Sequence, residues 1–132
     1  MANRQKILVV DDLPDWRATL SGLLADEGYE VYVADSSDSA LNLISAHHGF
    51  DLALIDMRLD ESDEENTEGL DLAAKIKQRW PATKVLIITG YGTSEAIKRA
   101  MEPDSQGRRL VENFIPKTET ENLVHLVQET LS

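Results

Sequence analysis

An apolar run at residues 52–55 leads directly into the carboxylate of Asp56. A short continuous run of this kind is typical of a strand that is buried on both faces of a parallel sheet. Open α/β sheets bind their ligands at the carboxyl ends of such strands. The run therefore predicts an α/β fold with Asp56 at its functional edge, and we interpret Asp56 as a nucleophile for a phosphoryl group.

Strand-like segments alternate with helical periodicity along the rest of the chain. Strands are predicted at residues 6–10, 30–34, 52–55, 85–88 and 111–115. Helices are predicted at about 14–27, 37–48, 69–80, 94–101 and 119–131. The inner face of the third helix is expected to hold Leu70, Ala73, Ala74 and Ile76. This alternation predicts a parallel sheet covered by helices on both faces.

The length of 132 residues and the apolar fraction of 42% suit one domain, residues 1–132, with its core at about 6–131. The absence of cysteine excludes disulfides and thiolate metal sites. Since the last predicted helix reaches residue 131, we expect no output domain in this chain. No apolar run approaches the roughly 18 residues that span a membrane, and no signal-peptide core follows the N-terminus, so we expect a cytoplasmic location.

The chain is strongly acidic, with 13 lysines and arginines against 24 aspartates and glutamates, a net charge of −11. This balance argues against direct binding of nucleic acid, because phosphate contacts need clustered cations. It suits binding of Mg²⁺ or of a basic protein surface, although solubility alone explains the bulk charge equally well.

Polar side chains of a definite kind follow four of the predicted strands: Asp11 and Asp12, then Asp56, Thr89 and Lys117. An aspartate in this place is more often a helix cap than a catalyst, a threonine is usually a turn residue, and a lysine is usually solvated. Their joint occurrence is much less expected by chance, because parallel strands bring their carboxyl ends to one edge of the sheet.

Three carboxylates at that edge would repel one another, by roughly 4 kcal/mol for a pair about 4 Å apart at a surface-like dielectric. A hard divalent cation relieves this repulsion, and Mg²⁺ suits a site built from oxygen ligands. The cation and Lys117 would then neutralise the oxygens of a transferring phosphoryl group. The hydroxyl of Thr89 can donate a hydrogen bond to the same group.

With these pieces in place, the sequence resembles the receiver domain of two-component response regulators over almost its whole length. The matching pieces are the first strand with Asp11-Asp12, Asp56-Met-Arg-Leu, Gly69-Leu-Asp-Leu, Thr89-Gly-Tyr-Gly and Phe114-Ile-Pro-Lys117. The resemblance implies a flavodoxin-like (βα)5 fold with strand order 2-1-3-4-5. It also implies that a sensor histidine kinase or phosphotransfer protein supplies the phosphoryl group and that a downstream protein target reads the result.

The resemblance assigns roles to matching positions around the metal. Asp56 would be the phosphoacceptor, and Asp11, Asp12 and Asp56 would bind Mg²⁺ together with the backbone carbonyl of Arg58. Lys117 would be the lysine that contacts the phosphoryl group.

Further roles implied by the resemblance concern signalling. Thr89 and Phe114 would be the switch hydroxyl and the switch aromatic. Arg58 and Tyr91 occupy the variable positions that modulate the lifetime of the phosphorylated state. The domain would signal as a monomer or as a phosphorylation-promoted dimer, without enzymatic activity beyond its own phosphorylation and dephosphorylation.

The sequence departs from the family pattern in three places. Residues 60–68 form an acidic insertion, with six carboxylates in nine residues, and lack the usual proline. We expect this insertion to be a mobile, dispensable loop. The segment between Met101 and Phe114 is also longer than usual. Thr118 replaces the proline that normally follows the lysine, so we expect a trans Lys117–Thr118 bond, because cis costs about 2.5–4 kcal/mol without proline.

Two other interpretations remain open. An aspartate-nucleophile phosphatase of the haloacid dehalogenase type wants its nucleophile on the first strand and a second aspartate two residues later, whereas Asp11 and Asp12 are adjacent. A degenerate receiver would act only as a docking module, and would fail to bind acetyl phosphate or a beryllofluoride mimic.

Overall fold

The computed structural model describes residues 4–57, 68–90 and 95–132. Its strands are β1 (Lys6–Val10), β2 (Glu30–Ala34), β3 (Leu52–Asp56), β4 (Lys84–Thr89) and β5 (Asn113–Pro116). Its helices are α1 (Pro14–Asp26), α2 (Ser37–Ala46), α3 (Glu68–Arg79), α4 (Glu95–Met101), a short 3₁₀ helix at Lys117–Asn122, and α5 (Leu123–Leu131). No helix in these ranges is both long enough and apolar enough to cross a membrane.

The five strands form one parallel sheet in the order β2-β1-β3-β4-β5, which confirms the predicted fold class. The central strands are apolar except at their ends because both of their faces are covered. Every residue of β3 is buried, as are Ile7 to Val10 in β1. The order reverses beside β1, so the carboxyl ends of β1 and β3 flank the place where such sheets bind ligands.

Two apolar cores lie on opposite faces of the sheet. Leu8, Val10 and Ile55 point towards the layer that contains α2, α3 and α4. Their chain neighbours Ile7 and Val9 point towards the layer that contains α1 and α5. Successive side chains of a strand point to opposite faces of the sheet. Because helices cover both faces, these runs are continuously apolar and do not alternate between apolar and polar residues.

Residue types that are typical of helix ends lie at the ends of α1 and α2. Pro14 is the first residue of α1, where its missing N–H leaves no hydrogen bond unmade. The Ser36 hydroxyl accepts a hydrogen bond from the backbone N–H of Ser39 and caps α2. Gly28, with φ of 94°, follows α1 in a conformation that other residues rarely adopt.

The predicted strand at residues 111–115 was displaced, since β5 covers Asn113–Pro116. Val111 is fully buried, but its backbone N–H donates to the carbonyl of Ala100 rather than to a strand. The backbone N–H of Glu112 donates to the carbonyl of Val85, just before the ladder begins. Val111 is apolar because it is buried under a helix, and the sequence pattern does not distinguish this kind of burial from strand pairing.

Two helix predictions also need correction. The last helix was expected from residue 119, but a 3₁₀ turn with a non-helical Glu119 comes first, and α5 begins at Leu123. In α3 the inner face includes Leu72 and excludes Ala74, which is exposed. Leu70, Ala73 and Ile76 are buried as predicted.

The Lys117–Thr118 bond is trans, as predicted, because no peptide bond among the described residues is cis. Pro116 directly precedes the lysine and has φ of −68°, close to the value that its ring imposes. The chain therefore leaves β5 through a proline-restricted position before it enters the 3₁₀ turn.

Candidate functional site

Three carboxylates meet at the carboxyl edge of the sheet. Asp11 and Asp12 follow β1, and Asp56 is the last residue of β3. One oxygen from each lies within 4.8 Å of the other two. Asp11 and Asp56 are buried, with exposed fractions of 0% and 1%. The strand register explains the meeting, because Val10 pairs with Ile55 and places the next residues of both strands side by side.

Asp11 is held in a fixed orientation by its surroundings. Its Oδ1 accepts a hydrogen bond of 2.9 Å from the backbone N–H of Leu13. Its own carbonyl accepts one of 2.8 Å from the Arg17 guanidinium, and its backbone N–H donates to Ala34. These contacts leave Oδ2 directed towards the centre of the carboxylate cluster, where it has no aligned hydrogen-bond donor.

Lys117 brings a positive charge into this cluster from the end of β5. Its Nζ lies 3.2 Å from Asp11 Oδ2 and 3.4 Å from Asp56 Oδ2. The contact with Asp11 is an ion pair at short range rather than a well-aligned hydrogen bond. The lysine side chain is only 8% exposed, so the three charges interact with little solvent screening. The trans bond after the lysine is thus compatible with its reaching both carboxylates.

Trp16 is a neighbour of the site that the sequence reasoning placed only on the apolar face of the first helix. Its ring centroid lies 5.0 Å from Lys117 Nζ, within the range of a cation–π contact. A signal for this contact exists in the sequence, because Trp16 lies one helical turn beyond Asp12 and therefore near the same sheet edge.

Thr89 and Phe114 lie where the sequence predicted. Thr89 ends β4, is 3% exposed, and pairs with Pro116 in the ladder. Phe114 lies in β5 beside Ile87 of β4 and packs, half-buried, against the core that contains α4. The two residues therefore lie on adjacent strands, beyond β3 in the order of the sheet.

Gly69 allows α3 to approach the end of β3 very closely. A Cβ atom at this position would lie 2.2 Å from the carbonyl oxygen of Asp56 and 2.8 Å from that of Met57. The backbone N–H of Gly69 donates to the Met57 carbonyl at 3.0 Å. The glycine thus fixes the backbone that carries Asp56.

The predicted positions Arg58 and Tyr91 lie outside the described residues, and so do residues 60–67 of the acidic insertion. Glu68, the last of the insertion's carboxylates, is the first residue of α3. Its Oε2 accepts a hydrogen bond of 3.3 Å from the hydroxyl of Ser37.

The donor set fits a hard divalent cation. Every side-chain ligand available in the cluster is a carboxylate oxygen, and Asp11 Oδ2 is buried there without an aligned donor. Such oxygens suit Mg²⁺ better than softer metals. The arrangement can hold a cation, a nucleophilic carboxylate and a lysine ammonium in direct proximity.

Known proteins resemble this chain in sequence. PilR of Pseudomonas aeruginosa, a response regulator protein, is 39% identical over 100 residues, which are 76% of this chain and 21% of PilR. The nitrogen assimilation regulatory protein NtrX of Azorhizobium caulinodans is 39% identical over 97 residues, which are 70% of this chain and 20% of NtrX. The chain thus spans about a fifth of the length of these curated relatives.

Solved structures and a family profile agree with these relatives. The receiver domain of NtrX from Brucella abortus superposes with a TM-score of 0.78 at 33% identity, over 95% of this chain and 97% of that one. A receiver domain protein from Methanospirillum hungatei gives 0.79 at 27% identity, over 98% and 94%. The profile of the response regulator receiver domain matches residues 7–128. The chain therefore belongs to the response regulator receiver domain family.

Proposed function

We propose that Asp56 accepts a phosphoryl group from a phosphohistidine on a sensor histidine kinase or a phosphotransfer protein, and that the chain then signals through altered protein contacts. Receiver domains are signalling domains with a phosphoacceptor role rather than classical enzymes. One observation carries the assignment to Asp56: this buried carboxylate lies 3.4 Å from the Lys117 ammonium in a cluster of three carboxylates. In this proposal residues 1–132 form one receiver domain.

The transfer is a displacement at phosphorus. An oxygen of Asp56 attacks the phosphorus atom, the P–N bond of the phosphohistidine breaks, and its electron pair returns to the imidazole, which takes up a proton. The product is an acyl phosphate on Asp56. Dephosphorylation ends the signal. Water attacks the same phosphorus, the P–O bond to Asp56 breaks, inorganic phosphate leaves and the carboxylate is restored.

Lys117 supports the transfer by its charge. Its ammonium already contacts the acceptor carboxylate, and it can move onto an oxygen of the incoming group as negative charge accumulates there. Burial of the ammonium strengthens this interaction, since the surroundings exclude most water.

Mg²⁺ fits the carboxylate cluster, and Asp11, Asp12 and Asp56 would hold it, together with the Arg58 carbonyl that the family resemblance implies. When bound, the cation supplies positive charge to the phosphoryl oxygens and relieves the repulsion among the carboxylates. Asp11 contributes a carboxylate whose orientation is fixed in advance by the Leu13 N–H.

The proposed output uses Thr89 and Phe114. The Thr89 hydroxyl would donate a hydrogen bond to a phosphoryl oxygen. The movement of that side chain away from its resting position would then let Phe114 repack between β4 and α4. A downstream protein that binds the repacked surface would then read the phosphorylated state. Bulky side chains at Arg58 and Tyr91 would lengthen its lifetime by obstructing the approach of water.

Intact-mass spectrometry after incubation with acetyl phosphate and Mg²⁺ tests the assignment. We expect the wild-type chain to gain one phosphoryl group, and Asp56→Asn to gain none. Asp26→Asn is the matched control: it removes one exposed aspartate at the end of α1 and should be phosphorylated normally. Phosphorylation of the Asp56→Asn chain would place the acceptor elsewhere.

The same measurement decides between this proposal and the docking-module interpretation. A domain that only docks gains no phosphoryl group and gives no response to beryllofluoride with Mg²⁺. Turnover of many phosphate esters per chain would instead support the phosphatase interpretation.

A further inference from the structure

An open groove of about 1000 Å³ runs between α3, α4 and the segment at residues 102–112, here called the α3–α4 groove. On α3 its lining follows one helical stripe, from Leu70 through Ala74 and Gln78 to Pro81 just beyond the helix. The rise of a helix from position 70 to position 81 is about 16 Å. The lining on this side of the groove therefore extends over about three turns of helix.

The far wall of the groove is the segment that the sequence showed to be longer than usual, and it has a defined structure. Asp104 closes a turn in it: Oδ1 accepts hydrogen bonds from the backbone N–H groups of Gln106 at 2.8 Å and Arg108 at 2.9 Å. The backbone N–H of Asp104 donates to the Arg108 carbonyl at 2.7 Å, and Gly107 takes the positive φ of 78° that the turn requires. The turn thereby sets the backbone position of Arg108 and of Arg109, which comes directly after it.

The end of this segment is tied to the sheet. The Glu112 side chain accepts a hydrogen bond of 2.6 Å from the backbone N–H of Val85 through Oε2. Its other oxygen pairs with the ammonium of Lys77 on α3. Glu112 thus joins the wall to α3 across the groove, and it neutralises Lys77.

Other cations around the groove keep their charge available. Lys84, Arg99 and Arg109 line it and are exposed, and within the described ranges no carboxylate lies within 4.0 Å of them. Arg108 is not counted with these cations, because Asp104 lies near it. The floor beneath these cations is apolar, made by Leu70, Ala96, Ala100 and Leu110. Among the described residues that line the groove, five cations stand against three carboxylates, Glu102, Asp104 and Glu112. The lining is therefore net positive in a chain whose net charge is −11.

We propose that the α3–α4 groove docks an acidic amphipathic helix of a partner protein. Apolar residues on one face of that helix would cover the alanine and leucine floor, and its carboxylates would meet the cations at the rim. A lining that extends over about three helical turns suits a helical segment. The described lining contains no aromatic ring on which a base could stack, and this favours an amphipathic helix over nucleic acid.

The docking surface is separate from the proposed phosphorylation site. None of the cluster residues Asp11, Asp12, Asp56 and Lys117 lines the groove. Docking and phosphorylation can therefore be measured independently, and failure of one assignment leaves the other standing.

The probe is a labelled, lactam-bridged helical peptide about three turns long, with leucines four residues apart and glutamates on both flanks. One comparison peptide replaces its glutamates with lysine, and another replaces its leucines with glutamine. Fluorescence anisotropy measures affinity for the 132-residue chain, and backbone amide shifts map the site. We expect the glutamate peptide to bind, with shifts at Ala74, Ala96 and Leu110, and its affinity to fall with added salt.

A matched pair of double variants separates the groove from general electrostatics. Arg99→Glu with Arg109→Glu reverses two rim charges and should weaken the peptide by about tenfold. Lys75→Glu with Lys98→Glu makes the same change in net charge at exposed positions of α3 and α4 that do not line the groove, and should leave affinity nearly unchanged. Both variants should keep the wild-type circular dichroism and unfolding midpoint.

Several results would overturn the proposal. These are no measurable binding, equal binding of the lysine or glutamine peptide, equal weakening in the two double variants, or shifts that map away from the groove. Tighter binding of a single-stranded oligonucleotide than of the glutamate peptide would assign the groove to nucleic acid instead.

Discussion

Lys117 and Trp16 form a contact that joins the end of β5 to α1. The ammonium lies against two buried carboxylates on one side and 5.0 Å from the indole centroid on the other. An indole face attracts a cation, so Trp16 restrains a side chain that otherwise has four rotatable bonds. This contact acts on the same lysine that lacks a following proline.

Replacing Trp16 with leucine should slow phosphorylation by acetyl phosphate about two- to fivefold, since a cation–π contact contributes about 0.5–1 kcal/mol. Trp16→Phe should recover most of the rate, because phenylalanine retains a ring face. Rates from intact-mass time courses check this, with Leu23→Ala on the same helix as a packing control that does not touch the lysine. A leucine variant as fast as wild type would contradict the positioning role.

Asp12→Asn should abolish phosphorylation and weaken Mg²⁺ binding while changing the shape of the side chain very little. The substitution removes one of three charges that would hold the cation. Tryptophan fluorescence titrated with MgCl₂ measures the binding, since Trp16 lies beside the site. Asp15→Asn, at an exposed neighbouring position, is the control. Undiminished phosphorylation in Asp12→Asn or in EDTA would show that the metal assignment is wrong.

At the level of residues, the sequence predicted the meeting of Asp11, Asp12, Asp56 and Lys117, because strand ends in a parallel sheet are close whatever the loops do. It did not predict the Trp16 contact. Whether an aromatic ring on a helix faces the core or the site depends on the rotation of that helix, which apolar periodicity sets only to within part of a turn.

Among the elements, α3 is placed by a single glycine. Gly69→Ala should destabilise the protein by about 1–3 kcal/mol, because the added methyl would overlap the Asp56 carbonyl. Gly22→Ala in α1 is the control: nothing lies within 4 Å of its Cβ position, so it should stabilise the chain by about 0.5–1 kcal/mol. Urea unfolding of both variants makes the comparison, and equal effects would mean that α3 is not fixed at this contact.

The turn in the 102–112 segment should respond to acid. Hydrogen bonds from the backbone N–H groups of Arg108 and Gln106, with a smaller contribution from the Arg108 charge, lower the pKa of Asp104 below its ordinary value of 3.8. Because the folded pKa is the lower one, the carboxylate stabilises the turn above pH 3.8, and this stabilisation is lost as the pH falls through the folded pKa.

Amide shifts of Gln106 and Arg108 followed against pH measure this titration. Their midpoint should lie below 3.8, and Asp104→Asn should remove the transition. A midpoint at or above the ordinary value would show that the turn is not held by this carboxylate.

The boundaries of the elements show what periodicity can and cannot predict. The buried strands β1, β3 and β4 were found because parallel strands covered on both faces need continuous apolar runs. The position of β5 was missed by two residues, since Val111 is apolar for a reason unrelated to strand pairing. The 3₁₀ turn before α5 depends on how the chain leaves Pro116, and no side-chain pattern records it.

For the whole molecule, Mg²⁺ should raise the unfolding midpoint. A ligand bound only by the folded state at about ten times its dissociation constant stabilises by about 1.4 kcal/mol. For a domain of this size that corresponds to about 4–7 °C. Calorimetry in MgCl₂ against NaCl of equal ionic strength measures the shift, and the NaCl arm controls for screening of the net charge of −11. The Asp12→Asn chain should show a smaller difference between the two salts.

The contact between Lys117 and Asp11 joins the end of the last strand to the end of the first. During translation, Asp11 and Asp56 are synthesised long before Lys117, and β5 must then add to the edge of a sheet that already contains the other strands. A chain still being synthesised therefore carries Asp56, the proposed acceptor, before the ammonium that lies beside it in the folded protein exists. If Asp56 is the acceptor, as proposed, a chain that has not yet been synthesised and folded through Lys117 would stay silent even where an active donor is abundant.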